Sequence, residues 1–324
     1  MITSSVTLEP LKKRILISML MCIGIVFISE ILNMKEILFP EIAALVIGAW
    51  TSSSQPWQTY KLQLIFLMTL SAIMGFMFVN YVHIPLYFKI IIAYLTVGLF
   101  LTVTGSGLFP MISAAVLPIL MNTRNIVYPI SVFIMSCIIA SVQYLMEKKG
   151  LREKHIYMRP KIKNKDRINL WIKRTAVLSF TILIPFILDL PFMLAPPLLV
   201  FFTESSVPES MIRKKPLKSC IIISLTAFVG SFSRIIMCIK FNFPMTIAAI
   251  VTVLLVFTIF NVFDQFIPPA GAIALLPFII SETSLYSFGI QIMIGSLTFA
   301  IVGTVYFMSE TKITENSFYK KQNI

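Results

Sequence analysis

Apolar segments separated by short polar stretches follow one another along the whole chain. In the first half they lie near residues 15–33, 37–50, 62–82, 86–104, 108–121 and 126–146. In the second half they lie near residues 170–190, 193–203, 218–238, 244–263, 268–280 and 287–308. Four segments in each half have about 19–23 residues, enough for a helix to span roughly 30 Å of hydrocarbon. The pattern predicts an all-α polytopic membrane protein.

The other two segments of each half are too short for a simple crossing. They are 37–50 and 108–121 in the first half, and 193–203 and 268–280 in the second. Segments of about 11–14 residues are typical of half-helices or re-entrant segments. Both courses stay open, but the basic loop at 213–218 favours crossing, because a crossing at 193–203 places that loop on the cytoplasmic side.

The order long, short, long, long, short, long occurs in both halves, and residue identities repeat with it. The matching motifs are Lys13-Arg14 with Lys173-Arg174, residues 50–56 with 202–208, Ser71-Ala72-x-x-Gly75 with Thr226-Ala227-x-x-Gly230, and residues 110–118 with 269–277. Each half contains an even number of crossings whichever course the short segments take. The sequence therefore predicts two parallel repeats, related by an axis along the membrane normal. Each repeat has four long transmembrane helices plus two short half-helix or re-entrant segments.

This duplication sets the predicted domains. Residues 1–147 form the first membrane repeat, 148–168 a basic cytoplasmic linker, 169–310 the second membrane repeat, and 311–324 a cytoplasmic tail.

Composition and charge agree with a membrane protein. Hydrophobic residues make up 57% of the 324 positions and charged residues 13%, whereas a soluble domain has about 25% charged residues. The formal net charge of +13 comes from clusters in the N-terminal flank, the linker, the 213–218 loop and the tail. Such clusters follow the positive-inside rule rather than forming a nucleic-acid surface. We expect a multi-pass protein of the plasma membrane with both termini in the cytoplasm. Its partners are the lipid bilayer and a solute, with a homo-oligomer left open.

Signals of enzymatic chemistry are nearly absent. The two histidines, His83 and His155, have no partners at ligand spacing, and the four cysteines lie in apolar stretches without CxxC spacing. No glycine-rich phosphate loop follows a strand. We expect no enzyme, no metal site and no cofactor.

Two related polar elements follow the first short segment of each half. Proline and small hydroxyl residues suit a broken helix that opens onto a polar cavity, although an interfacial loop uses the same residue types. The candidate solute-binding residues in these elements are Thr51, Ser52, Ser53, Thr203, Glu204, Ser205 and Ser206. Glu204 stands where the first element has Ser52. It is the strongest candidate for a carboxylate coupled to a proton or a cation.

A second candidate group surrounds the start of segment 268–280. Pro268 and Pro269 can begin a half-helix, and Gly271 allows a solute or a neighbouring helix to approach closely. Asp264 lies four residues before Pro268 and could cap that helix or bind a cation or proton. Ser106 lies in the equivalent element of the first half, which has no acidic residue.

The run Pro268-Pro269-Ala270-Gly271-Ala272-x-Ala274-Leu275 resembles the HPP family of small integral membrane proteins. The resemblance covers most of the second half and implies four-helix units, a link to nitrite transport, and a tandem pair that corresponds to a ready-made dimer. Ile267 stands where that family has its motif histidine, and Ile223 stands near the place of a second one. The six-segment halves are more weakly similar to membrane domains of the fusaric acid resistance and aromatic acid exporter group.

The resulting functional hypothesis is a transporter or permease for a small solute, whose path is lined by the short broken helices between the repeats. The HPP resemblance implies a small anion such as nitrite. The alternatives are a non-transporting membrane scaffold or partner subunit, and an exporter of small aromatic acids. Dry packing of the short segments would favour the scaffold.

Overall fold

The computed structural model describes residues 3–52, 55–157 and 164–307, and these ranges are helical without any strand. Eight of the described helices are long and apolar enough to cross a membrane. They are α1 (Thr3–Ile31), α3 (Lys61–Tyr81), α4 (Leu86–Thr104), α6 (Val127–Lys148), α7 (Asn164–Ile187), α10 (Pro216–Arg234), α11 (Met245–Val262) and α13 (Leu285–Tyr306). The prediction of an all-α protein with four long apolar helices in each half of the chain is confirmed.

Shorter helices interrupt this series at the four expected places. They are α2 (Glu41–Val46), which continues as a π-helical turn (Ile47–Thr51), α5 (Pro110–Met121), α8 (Pro196–Ser205) and α12 (Pro268–Leu275). Three of them begin on proline, which tolerates the first helical turn because the amide there has no partner within the helix. A further short helix, α9 (Met211–Lys214), lies in the basic loop.

The helix boundaries differ from the predicted domains near the linker. Helix α7 begins at Asn164, inside the range 148–168 that the sequence assigns to the linker. Residues 151–157 of that range form no helix, and residues 158–163 lie outside the described residues. The predicted tail, 311–324, lies outside them as well.

Side-chain contacts show how the first short segment of each half runs. One end of the bundle contains the Lys61–Glu147 ion pair and the start of the linker, and we call it the linker end. We call the opposite end the far end. Arg14, near the linker end of α1, donates from Nη1 to the Trp50 carbonyl oxygen at 3.2 Å. Arg174 near the start of α7 donates from Nε to Ser206 Oγ at 2.8 Å. Both segments therefore run from the far end of the bundle towards the linker end.

The short helices meet in the middle of the protein. Helix α2 packs against α12, α8 packs against α5, and α8 also contacts α12. Around this centre, long helices of one half pack against long helices of the other: α1 packs against α11, and α7 packs against α4. The centre is apolar, and every residue of α12 is buried.

Two glycines allow very close contact between a long and a short helix. A Cβ added to Gly75 in α3 would lie 2.2 Å from the Ala115 carbonyl oxygen of α5. A Cβ added to Gly230 in α10 would lie 2.3 Å from the Ala274 carbonyl oxygen of α12. A proline ring, from Pro118 or Pro277, flanks each contact. Neither position has room for a side chain unless the backbone moves.

We predict that Gly75→Ala and Gly230→Ala each lower the free energy of unfolding by about 1–3 kcal/mol, because overpacking forces the backbone apart. Gly24→Ala in α1 is the matched control, since an added Cβ there meets nothing within 4 Å. Thermal unfolding of the three variants in detergent measures the effect. Unfolding of the Gly75 and Gly230 variants at the wild-type temperature would contradict this packing.

Candidate functional site

The polar element that ends the first short segment is held by protein groups. Thr51 is fully buried, and its hydroxyl lies 2.9 Å from the hydroxyl of Ser18 in α1. Ser52 donates from Oγ to the Ile47 carbonyl oxygen at 3.0 Å, and its own carbonyl accepts from Arg152 Nη1 at 2.8 Å. Ser53, the third predicted residue of this element, lies outside the described residues.

The equivalent element of the second half is also buried at the linker end. Thr203 Oγ1 lies 2.7 Å from the hydroxyl of Tyr94 in α4, so this contact joins the two halves. Ser205 donates from Oγ to the Phe202 carbonyl oxygen at 2.7 Å. Ser206 donates from Oγ to the Thr203 carbonyl oxygen at 2.6 Å and accepts from Arg174.

Glu204 makes the most informative contact of this element. The indole Nε1 of Trp57 donates to Glu204 Oε1 at 3.3 Å, across 147 positions of sequence. Glu204 is 6% exposed and Trp57 is 1% exposed. The Trp57 ring also covers Gly48, where an added Cβ would lie 2.4 Å from it. Trp57 thus extends from the first half and donates a hydrogen bond to Glu204, the only carboxylate among residues 203–206 of the second half.

A chain of hydrogen bonds extends from this contact back to the surface of the linker end. Gln55 Nε2 donates to the Trp57 carbonyl oxygen at 3.1 Å, and Gln143 Nε2 donates to Gln55 Oε1 at 2.9 Å. Gln143 Nε2 also donates to Glu147 Oε1 at 3.1 Å. We call the series Glu147, Gln143, Gln55, Trp57 and Glu204 the bridging chain. Because it joins the halves through polar groups, any separation of the halves at this end breaks it.

A small polar cavity lies beside the bridging chain. Its volume is about 40 Å³, and its lining comprises Gln55, Thr59, Tyr60, Lys61, Leu64, Gln143 and His155. A cavity needs about 10–15 Å³ to hold one water, so this one admits a few waters or a small ion. Burial, followed by the nearby charge of Arg152, holds the pKa of His155 below its usual range. This ring is therefore mostly neutral at pH 7.

The apolar centre offers far less space. Between α1, α2, α11 and α12 the cavity is about 10 Å³, at the lower limit for a single water molecule. Its walls include Cys22, Ile47 and Phe257. Of these two cavities, the larger and more polar one thus lies at the linker end, and the one beside α2 and α12 is apolar.

Arginines satisfy the ends of the short segments. Arg14 donates to the Trp50 carbonyl oxygen and Arg152 to that of Ser52. In the second half Arg174 donates to the Ser206 hydroxyl, and Arg213 Nη1 donates to the Ser206 carbonyl oxygen at 3.1 Å. The last carbonyls of a helix have no partner within it, and they attract cations. These basic residues therefore stabilise the broken helices.

Arg234 performs the same task at the far end. Arg234 is 3% exposed and donates to the carbonyl oxygens of Pro277 and of Ile280, the latter at 2.7 Å. The segment that follows α12 ends inside the bundle and leaves carbonyls that need a buried donor.

The residues of the second predicted group lie at the start of α12 and in the segments that precede α12 and α5. Pro268 and Pro269 start α12 as expected, but its N-cap, Ile267, provides no side-chain bond. Asp264 is exposed in the preceding turn. Gly271 faces Ile47, whose Cδ1 would lie 2.3 Å from an added Cβ, so a neighbouring segment fills the space. Ser106 donates from Oγ to the Gln58 carbonyl oxygen at 3.3 Å.

Trp57, Gln55 and Gln143 are members of the site that sequence reasoning missed. Gln143 is a polar residue within an apolar helix, and such a residue is costly unless it is paired. That cost is the signal that could have identified it.

Comparison of the chain with family models, curated proteins and solved structures finds no match.

We predict that Arg234→Met is strongly destabilising, because it orphans two buried carbonyls at about 1–3 kcal/mol each. Arg124→Met, at an exposed position of the same end, is the control and should unfold like the wild type. Thermal unfolding in detergent compares the two variants. Equal stability of both would show that α12 does not depend on Arg234.

Proposed function

We propose that this chain is a multi-pass membrane transporter for a small solute, with the path between two parallel repeats. The observation that carries the proposal is the Trp57–Glu204 contact, in which the indole of one half donates a hydrogen bond to a buried carboxylate of the other. Ionisable residues buried in membrane proteins are rare and typically belong to solute or ion pathways.

Matching contacts in the two halves support the duplication. Gly75 and Gly230, which occupy the same place in the sequence repeat, meet equivalent carbonyls and equivalent prolines. Arg14 and Arg174, also equivalent, both bond the end of the first short segment of their own half. Helix α1 of the first half packs against α11 of the second, and α7 of the second half packs against α4 of the first. Two repeats related by a two-fold axis would pack in this reciprocal way. Parallel repeats of this kind occur in known transporter folds.

The present arrangement corresponds to a closed state. Short helices fill the centre, and the bridging chain with Trp57 joins the halves at the linker end. Transport in this scheme requires the halves to separate at the Trp57–Glu204 contact, exposing the hydroxyls of Thr203 and Thr51. The polar cavity beside Gln143 is the entry from the linker end.

The charge of the Glu204 carboxyl group limits which solutes can pass it. A small anion such as nitrite, the class that the HPP resemblance implies, would be repelled by an ionised Glu204. We therefore propose that an anion crosses together with a proton bound to this carboxyl group. In this scheme the linker end is cytoplasmic, both termini lie on that side, and the membrane is the plasma membrane.

A membrane scaffold without transport is the second candidate. The burial of nearly every residue of α2, α5, α8 and α12 favours it, because a scaffold needs no polar path. The scaffold hypothesis requires that Glu204 serve stability alone, and the two candidates therefore differ in measurable flux.

We predict that purified protein in liposomes takes up nitrite under an inward proton gradient, and that Glu204→Gln abolishes this flux, because the amide cannot carry a proton. Glu209→Gln, at an exposed position in the turn that follows α8, is the matched control and should transport like the wild type. Thermal unfolding of all three proteins separates loss of transport from loss of fold.

Two results would contradict the proposal. Equal flux in wild type and Glu204→Gln would remove Glu204 from the path. Absence of flux for nitrite and for a panel of small anions and aromatic acids, with stably folded protein, would favour the scaffold.

A further inference from the structure

Glu41 is a buried carboxyl group that the proposed path does not use. It is the first residue of α2, directly after Pro40, and is 1% exposed. Neither carboxyl oxygen has a hydrogen-bond partner among the described residues. The ion pairs found within the described ranges, Lys13–Glu9 and Lys61–Glu147, do not include it.

Each element packed against α2 contributes few polar groups to this position. Ser113 from α5 lies next to the carboxyl group, and its own buried hydroxyl lacks a partner. Tyr128 from α6 donates its phenol to the Ala114 carbonyl oxygen at 2.8 Å. Helix α12 is apolar throughout, and α1 contributes the thiol of Cys22. No cation therefore faces Glu41 from the described parts of these helices.

A carboxyl group in such a place is stable only in its neutral, protonated form. Burial of an ionised carboxylate in apolar surroundings costs far more than one proton transfer, so the group binds a proton instead. The neutral acid has one O–H donor. The Ser113 hydroxyl is an adjacent acceptor that is free to receive it.

The surroundings exclude a larger ligand. Neither of the two cavities described above has Glu41 in its lining, and Ser113 and Tyr128 beside it are 0% and 2% exposed. A proton needs no cavity of its own. The geometry thus selects the proton among the cations that a carboxylate binds.

We propose that Glu41 is a second proton-binding site, separate from Glu204, in which one proton is held between α2, α5 and α6. The reaction is the association of one proton with the Glu41 carboxylate, without any other bond change. Release of the proton requires α2 to move away from Ser113 and Tyr128, or water to enter between them. The site stands on the burial of Glu41 and holds whether or not the protein transports a solute.

Infrared spectroscopy of the protein in lipid bilayers tests the proposal, because a protonated carboxyl group has a C=O stretching band apart from those of amides and carboxylates. We expect this band in the wild type at pH 7, with slow hydrogen–deuterium exchange because the group is buried. Glu41→Gln should remove one component of the band. Glu36→Gln, at a partly exposed position in the turn before α2, should leave it unchanged.

Two further variants assign the signal. Glu204→Gln identifies any component that comes from the second buried carboxyl group and leaves the Glu41 component in place. Ser113→Ala should shift the Glu41 component, because it removes the hydrogen-bond acceptor. A wild-type spectrum identical to that of folded Glu41→Gln would overturn the proposal, and so would a band that exchanges as rapidly as an exposed acid.

Discussion

The structure depends on one constraint, which is that backbone carbonyls at the ends of buried short helices need donors in apolar surroundings. Four of the described helices end or begin within the bundle, so each leaves groups that its apolar neighbours cannot satisfy. Arginine provides these donors, with Arg14, Arg152 and Arg213 at the linker end and Arg234 at the far end. A buried guanidinium can serve two carbonyls at once, as Arg234 does.

This constraint also brings the two halves together at one place. Because the first short segment of each half must reach an arginine at the linker end, the hydroxyl-rich elements that follow both lie there. Glu204 then meets Trp57, and the bridging chain forms next to a polar cavity. The breaks in the helices thus bring polar groups together at the linker end, while the centre stays apolar.

Local signals in the sequence were sufficient for the helices but not for their contacts. The eight long helices follow from apolar length, and α5 and α12 begin on prolines as expected. The Trp57–Glu204 contact joins residues 147 positions apart, which no local pattern reveals. Gly271 was predicted to admit a solute or a helix, and only packing shows that Ile47 fills the space. Burial of Arg234 depends likewise on where α12 ends.

The central claim is that the halves separate at the linker end when the Trp57–Glu204 contact opens. Pulsed electron paramagnetic resonance in bilayers measures this with spin labels at Lys148 and Glu209, in a background without native cysteines. A second pair, at Arg124 and Asn242, reports on the far end. We expect two distances between the linker-end labels, and the longer one should be more populated in Trp57→Phe than in the wild type. The distance between the far-end labels should become shorter in Trp57→Phe. A single distance at each end, the same in both proteins, would contradict it.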